Sequence, residues 1–214
     1  MVLRETAAVP TDAAEAARIL AQQLVDSRLT LVPWSESARA LRERVGFLRH
    51  HDSVWPDFSH EGLLASAHDW LVPHLHGLRS LAEVRKLDMT AVLMDMIGWQ
   101  LRSQLDDLAP THIAVPSGSQ IAVDYSDAEA PMISVRLQEL FGLADTPRVF
   151  GGRVPVTVQL LSPARRPVQV TRDLASFWRS SYFEVRKEMR GRYPRHHWPE
   201  NPMEAEATRR TKRR

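Results

Sequence analysis

Six basic side chains in the last third of this chain offer the chemistry its residue types support best. Arg165 and Arg166 are adjacent, between two strand-like stretches, and Lys187, Arg190, Arg192 and Arg195 lie within and just beyond a helical one. Guanidinium neutralises a phosphate through paired N–H donors, and ammonium does so as a compact point charge. A basic loop beside a basic helix end makes an electrostatic track for a phosphate backbone. Such a track binds with little sequence reading and with strong salt dependence. The same cations would equally serve to pair with acidic groups, whether in the first part of this chain or on another protein surface.

Other chemistries find less support. His68, His74 and His76 are close in sequence, but zinc takes three or four ligands in tetrahedral array, and no cysteine or HExxH pair completes one. Ordinary surface histidines explain them, and no metal site is assigned. Asp106 and Asp107 are adjacent, so on a helix they diverge instead of sharing a site. Ser117-Gly118-Ser119 does not match GxSxG, and a hairpin turn explains the same letters. No catalytic residue is assigned. No glycine is followed by lysine and no DExH run occurs. This chain alone is therefore not expected to hydrolyse ATP by a P-loop mechanism, and no cofactor is expected in it. Of six tryptophans, Trp34, Trp55, Trp70, Trp99 and Trp178 fall in apolar periodic stretches and are expected in the core. Trp198 follows Arg195-His196-His197 and is expected to anchor the tail.

These residues must be positioned by two kinds of element. Up to about residue 105 the apolar spacing is helical. Asp12 caps a first helix with Ala16, Ile19, Leu20 and Leu24 on one face, and Ser35 caps a second with Ala38, Leu41, Val45 and Leu48. The far side of that second helix carries Arg39, Arg42, Arg44 and Arg49. A third helix is expected from near Ser59 to Leu71, ended or kinked at Pro73. Ser80 and Glu83 form a capping box for a short fourth. Val92, Leu93, Met96, Ile97, Leu101 and Leu105 predict one longer helix before Pro110.

The period then changes. His112 to Tyr125 alternates on both sides of Pro116-Ser117-Gly118-Ser119, which predicts a hairpin. Met132–Val135, Val154–Leu161 and Pro167–Val170 read as further strands, and Arg136–Phe141 as a short helical turn. One helix is expected from Asp173 to Arg190, with Arg172, Arg179 and Arg186 repeating every seven residues on one face together with Arg190. Beyond Gly191 the chain is rich in Pro, His and Arg and is expected to be disordered when alone, through Arg209, Arg210, Lys212, Arg213 and Arg214. The fold class is α+β: a helical part over 1–107, a small OB-like or antiparallel β part over 108–172, and a helix with a basic tail over 173–214.

The 214 residues have a formal net charge of +2, which conceals an asymmetry. Residues 151–214 hold 15 Lys or Arg against 6 Asp or Glu, and residues 1–150 hold 13 against 20. A basic segment beside an acidic one suits a polyanion partner or mutual attraction. No apolar run approaches the roughly 18–20 residues that span a bilayer, and no apolar signal core opens the chain. Cysteine is absent, which fits a cytoplasmic setting without a membrane.

Four longer stretches carry a family resemblance. Leu31 to Arg49 follows PWSxxARxLRxRVxxLR, Trp55 to Ser59 reads WPDFS, Leu108 to Ser126 reads LAPTHIAVPSGSQIAVDYS, and Arg136 to Pro202 continues as one distinctive tail. From about residue 11 onward the chain resembles the C-terminal region of bacterial HrpB-type ATP-dependent helicases, which are DExH-box proteins. The resemblance implies that two motor domains precede this segment in the parent protein and that those domains use ATP and magnesium. It implies a helical, ratchet-like region, then an OB-like one, then a family-specific end, which together hold single-stranded RNA or DNA against the motor. None of the motor's catalytic motifs is present to be carried over, so the chain reads as an accessory piece of a larger machine. The alternative is an interaction module that packs on the motor domains without touching nucleic acid.

Overall fold

In the computed structural model, which describes residues 12–209, helices fill the first part of the chain and a small sheet the second. Two compact units result, Met1–Arg102 and Ser103–Arg214.

The first unit opens with α1 (Ala13–Asp26) and α2 (Glu36–His51), capped by Asp12 and Ser35, whose side chains accept from Ala14 N and Ala38 N. Ala16, Leu20 and Leu24 of the expected face of α1 are buried, whereas Ile19 lies out in solvent. The expected third helix is two, α3 (His60–Ala65) and α4 (Ala67–Leu75). Ser66 divides them: its hydroxyl and its N–H both donate to Gly62 O, at 2.8 and 3.2 Å. A serine that bonds its own preceding turn in this way competes with the regular helical ladder. Pro73 sits inside α4. Burial of Trp70, Leu71 and Leu75 holds that last turn together despite the missing N–H.

After α5 (Leu81–Val84), capped by Ser80 as its capping box predicts, the expected long helix is again two. These are α6 (Met89–Ile97) and α7 (Trp99–Leu108), separated by Gly98 at φ +72°. The left-handed backbone there suits a glycine and ends a right-handed helix. Trp99, expected in the core, is 77% exposed immediately after this break. Within the unit α1 packs on α4 and α2 on α6.

The two N-terminal signature stretches prove to be structural. Arg42 Nε donates to Phe58 O at 3.0 Å and its guanidinium lies 4.6 Å from the Trp34 ring centre. Arg49 Nη1 donates to Trp55 O at 2.6 Å, and Trp55 itself is buried. Asp57 accepts from Ser59 N at 3.0 Å. Its hydrogen bonds with Ser59 hold its carboxyl below the usual carboxylate range. A Cβ on Gly62 would meet the Asp57 side chain at 2.3 Å, so only glycine lets α3 begin so close to this loop.

In the second unit β1 (His112–Ala114) and β2 (Gln120–Asp124) form the expected hairpin. Next comes β3 (Met132–Arg136), followed by a 3-10 turn over Leu137–Glu139 and a two-stranded pair, β4 (Arg148–Val149) with β5 (Val154–Pro155). The main sheet is completed by β6 (Thr157–Leu161) and β7 (Pro167–Thr171) in the order β1-β2-β3-β6-β7. The expected antiparallel pairing holds except between β3 and β6, which run parallel with Met132 opposite Thr157. A parallel step needs a crossover of a dozen or more residues; the 3-10 turn and the β4–β5 pair lie in it.

Ile133, Val135, Val158 and Leu160 are buried from the two parallel strands. The expected C-terminal helix is divided into α8 (Leu174–Arg179) and α9 (Tyr182–Arg192). The device is the one seen at Ser66: the Ser180 hydroxyl and N–H both donate to Ser176 O, at 2.7 and 3.1 Å. Arg172, Arg179 and Arg186 therefore do not share one helical face. Phe141, Phe177, Trp178 and Tyr182 form an aromatic cluster of edge and tilted contacts around this joint.

Candidate nucleic-acid interface

Beyond α9 the chain turns back over the β unit. Tyr182, fully buried, donates its hydroxyl to Pro199 O at 2.7 Å, and Trp198, 7% exposed, donates its indole N–H to Tyr193 O at 2.9 Å. Trp198 thus anchors the tail as expected. Arg186, expected on a basic face, instead clamps the tail, with Nε donating to Trp198 O at 3.0 Å and Nη2 reaching Glu200. Gly142 N donates to Pro202 O, and Thr208 N to Gln138 O. The expectation of a disordered end fails for residues 193–209, because aromatic burial and these backbone bonds order it. Arg210, Lys212, Arg213 and Arg214 lie outside the described residues.

The six sequence-derived cations fall on a turn, the adjoining helix and the segment that follows it in this unit. Arg165 and Arg166 occupy the turn between β6 and β7, Lys187, Arg190 and Arg192 project from α9, and Arg195 follows it. The turn is fixed: Arg165 N donates to Ser162 O, Ser162 N to Arg166 O, and Arg166 N to Ser162 Oγ at 3.1 Å. Arg165 is held at φ +60°. Lys187 lines a surface cleft whose opposite wall is Val168 and Gln169 of β7, so α9 runs beside the strand that leaves the basic turn. All six are exposed, and among the described residues Arg192 alone of them forms an ion pair, with Glu188 at 3.5 Å. The side chains of the other five make no hydrogen bond or ion pair to any described residue. An exposed pair one helical turn apart contributes only a few tenths of a kcal/mol, so Arg192 stays available.

The remaining candidates occupy ordinary positions. His74 Nδ1 lies 2.6 Å from Trp70 O, and its Nε2 is 3.6 Å from Asp95. Among the described residues no group of three His, Asp or Glu side chains is placed to hold a metal ion. Ser117 and Ser119 sit in the β1–β2 hairpin, where Gly118 adopts φ +79°. Both hydroxyls donate to Glu139 Oε2, Ser117 at 3.0 Å. This ties the hairpin to the 3-10 turn. Glu139 and Arg136 escaped sequence reasoning, since only the β3–β6 crossover brings them to the hairpin and the basic turn.

The comparisons with known proteins agree with this architecture. The family model described as ATP-dependent helicase C-terminal, HrpB type, matches residues 70–202. The chain belongs to the HrpB C-terminal family. It is 43% identical over 192 residues to the ATP-dependent RNA helicase HrpB of Escherichia coli K12, covering 88% of this chain and 24% of that protein. The crystal structure of the E. coli DExH-box NTPase HrpB aligns with a TM-score of 0.80 at 42% identity, over 89% of this chain and 24% of that one. A second crystal structure, of the E. coli DEAH/RHA helicase HrpB, aligns with a TM-score of 0.72 at 38% identity, over 92% and 25%. The chain therefore spans about a quarter of the length of these relatives, and it is a C-terminal domain of HrpB-type helicases by sequence and by fold. No helix among the described residues is long and apolar enough to cross a membrane.

Proposed function

We propose that this domain guides single-stranded nucleic acid, RNA in the first instance, beside the motor domains of a cytoplasmic HrpB-type helicase. The observation that carries the reading is the set of exposed cations Arg165, Arg166, Lys187, Arg190 and Arg195, on the pinned turn, on α9 and just beyond it, whose side chains have no partner among the described residues. Cations carried on a pinned backbone leave less chain to be ordered on meeting phosphates than cations on a mobile arm, which favours binding. ATP and magnesium belong, on this reading, to the motor domains, and this domain contributes phosphate neutralisation. The name of the E. coli relative, an RNA helicase, supports RNA as the strand.

The test is fluorescence anisotropy of a labelled single-stranded RNA with the purified chain at two salt concentrations. Binding is expected to fall steeply with salt. The triple reversal Arg190→Glu, Arg192→Glu, Arg195→Glu is expected to weaken it at least tenfold and to flatten the log–log salt slope by about 2, at about 0.7 per phosphate contact on a single strand. A second reading rests on Val170 of β7 and Phe183 of α9, each about half exposed. These side chains suit packing on the motor domains. If the reversed variant binds RNA as the parent does but loses motor domains supplied in trans, that second reading replaces the first.

A further inference from the structure

The sheet carries a second basic feature, which the sequence reading did not assign. A cleft of about 340 Å³ is lined by Gln120, Ser134, Arg136, Glu139 and Arg165. Arg136 ends β3 and stands opposite Leu161, the last residue of β6. Arg165 enters from the fixed turn that follows, so two guanidinium groups from different elements border one cavity. Arg136 Nε is buried and has no hydrogen-bond partner among the described residues. A buried charged donor left without an acceptor is costly, and native structures seldom keep one without a reason. Glu139 also lines the cleft, but its Oε2 already receives the Ser117 and Ser119 hydroxyls. Two guanidinium groups against one carboxylate leave the cleft positive.

We infer that this cleft seats one nucleotide of the bound strand, with its phosphate between Arg136 and Arg165. This rests on the nucleic-acid reading above and deepens it by naming a subsite. The volume lies in the range of small-ligand sites and exceeds what a bare phosphate fills. The planar guanidinium fork matches phosphate oxygens in pairs. Gln120 and Ser134 add amide and hydroxyl groups suited to sugar or base edges, and Ser134 Oγ is already oriented by donating to Gln159 Oε1 at 2.9 Å.

The experiment measures anisotropy of labelled oligouridine with the full chain and with Arg136→Gln, Arg165→Gln and Arg190→Glu, alongside a titration of the wild type with inorganic phosphate followed by the Arg136 Nε–H resonance. Arg136→Gln and Arg165→Gln are each expected to weaken binding about tenfold or more, as the loss of a charge-assisted bond implies. Their combination should cost less than the product of the two, because they share one phosphate. Arg165 lies in an exposed turn, so an unchanged affinity in its variant rules the cleft out even if Arg136→Gln folds poorly; because Arg165 also belongs to the track, its loss supports the cleft only together with the less-than-multiplicative combination. Wild-type affinity in Arg165→Gln with weakened Arg190→Glu binding would overturn the subsite and leave the basic track standing. If oligouridine fails to bind the wild type, the nucleic-acid reading and the nucleotide subsite fall together. A shift of the Arg136 resonance with phosphate would then mark only a simple anion site.

Discussion

In the helical unit, Arg42 donates to Phe58 O and lies over Trp34, while Arg49 donates to Trp55 O and stands 3.8 Å from Asp57. In the β unit, Arg165, Arg166, Lys187, Arg190 and Arg195 are exposed without a partner among the described residues. Both regions are rich in arginine, and the denser and more regular pattern, PWSxxARxLRxRVxxLR, belongs to the helical one. There Arg42 and Arg49 fasten a loop to α2. What separates the two is what the donors meet. Arginines that reach backbone carbonyls are part of the fold, and exposed arginines whose side chains reach no described residue are available to a ligand.

That contrast is most severely tested at Trp55, which is 1% exposed at the centre of the fastened loop. Trp55→Ala is expected to cost about 3–5 kcal/mol of stability, the range for deleting a buried large aromatic side chain. Chemical denaturation measures this, and RNA affinity of the folded fraction should stay unchanged. A smaller effect separates two arginines directly. Arg49→Ala leaves Trp55 O without its donor and is expected to cost about 1–3 kcal/mol. Arg190→Ala removes no described contact and should stay within about 0.5 kcal/mol of wild type. If Arg190→Ala destabilises as much as Arg49→Ala, the division between structural and available arginines is wrong.

Much of the fold was legible because capping and periodicity are local. Asp12, Ser35, Ser59 and Ser80 cap the helices expected to start beside them, and the change of period near His112 marks the start of the sheet. The breaks at Ser66 and Ser180 were not legible. A serine reads as neutral inside a helix until its hydroxyl is seen to bond the carbonyl four residues back. The parallel β3–β6 pair was hidden for a different reason: alternation marks a strand but not its neighbour or direction. The exposed cations were identified from charge alone, whereas Arg136 became visible only once the crossover set it beside Arg165. The order of the tail was missed because composition there argues for disorder, while Tyr182, Trp198 and Arg186 outweigh it through burial and backbone bonds.

The smallest expected effect probes the field of Arg136 without any ligand. His196 Nδ1 lies 3.1 Å from Gln138 Oε1, with Tyr193 and Trp198 in ring contact. Burial first, and then the Arg136 charge, holds its imidazole below the ordinary histidine range. Above about pH 6.5 the residue is neutral in both the folded and unfolded chain. As pH falls through that value the unfolded chain takes up a proton that the folded one does not. The stability contributed by the neutral, part-buried ring is therefore full above the unfolded pKa, and it is lost as pH falls toward the folded pKa. In Arg136→Gln the lesser of the two causes disappears, so the His196 titration followed by NMR should move up toward the usual value without reaching it, since burial persists. An unchanged titration would mean that the Arg136 charge does not reach His196, which would weaken the case that this guanidinium projects a usable field into its surroundings.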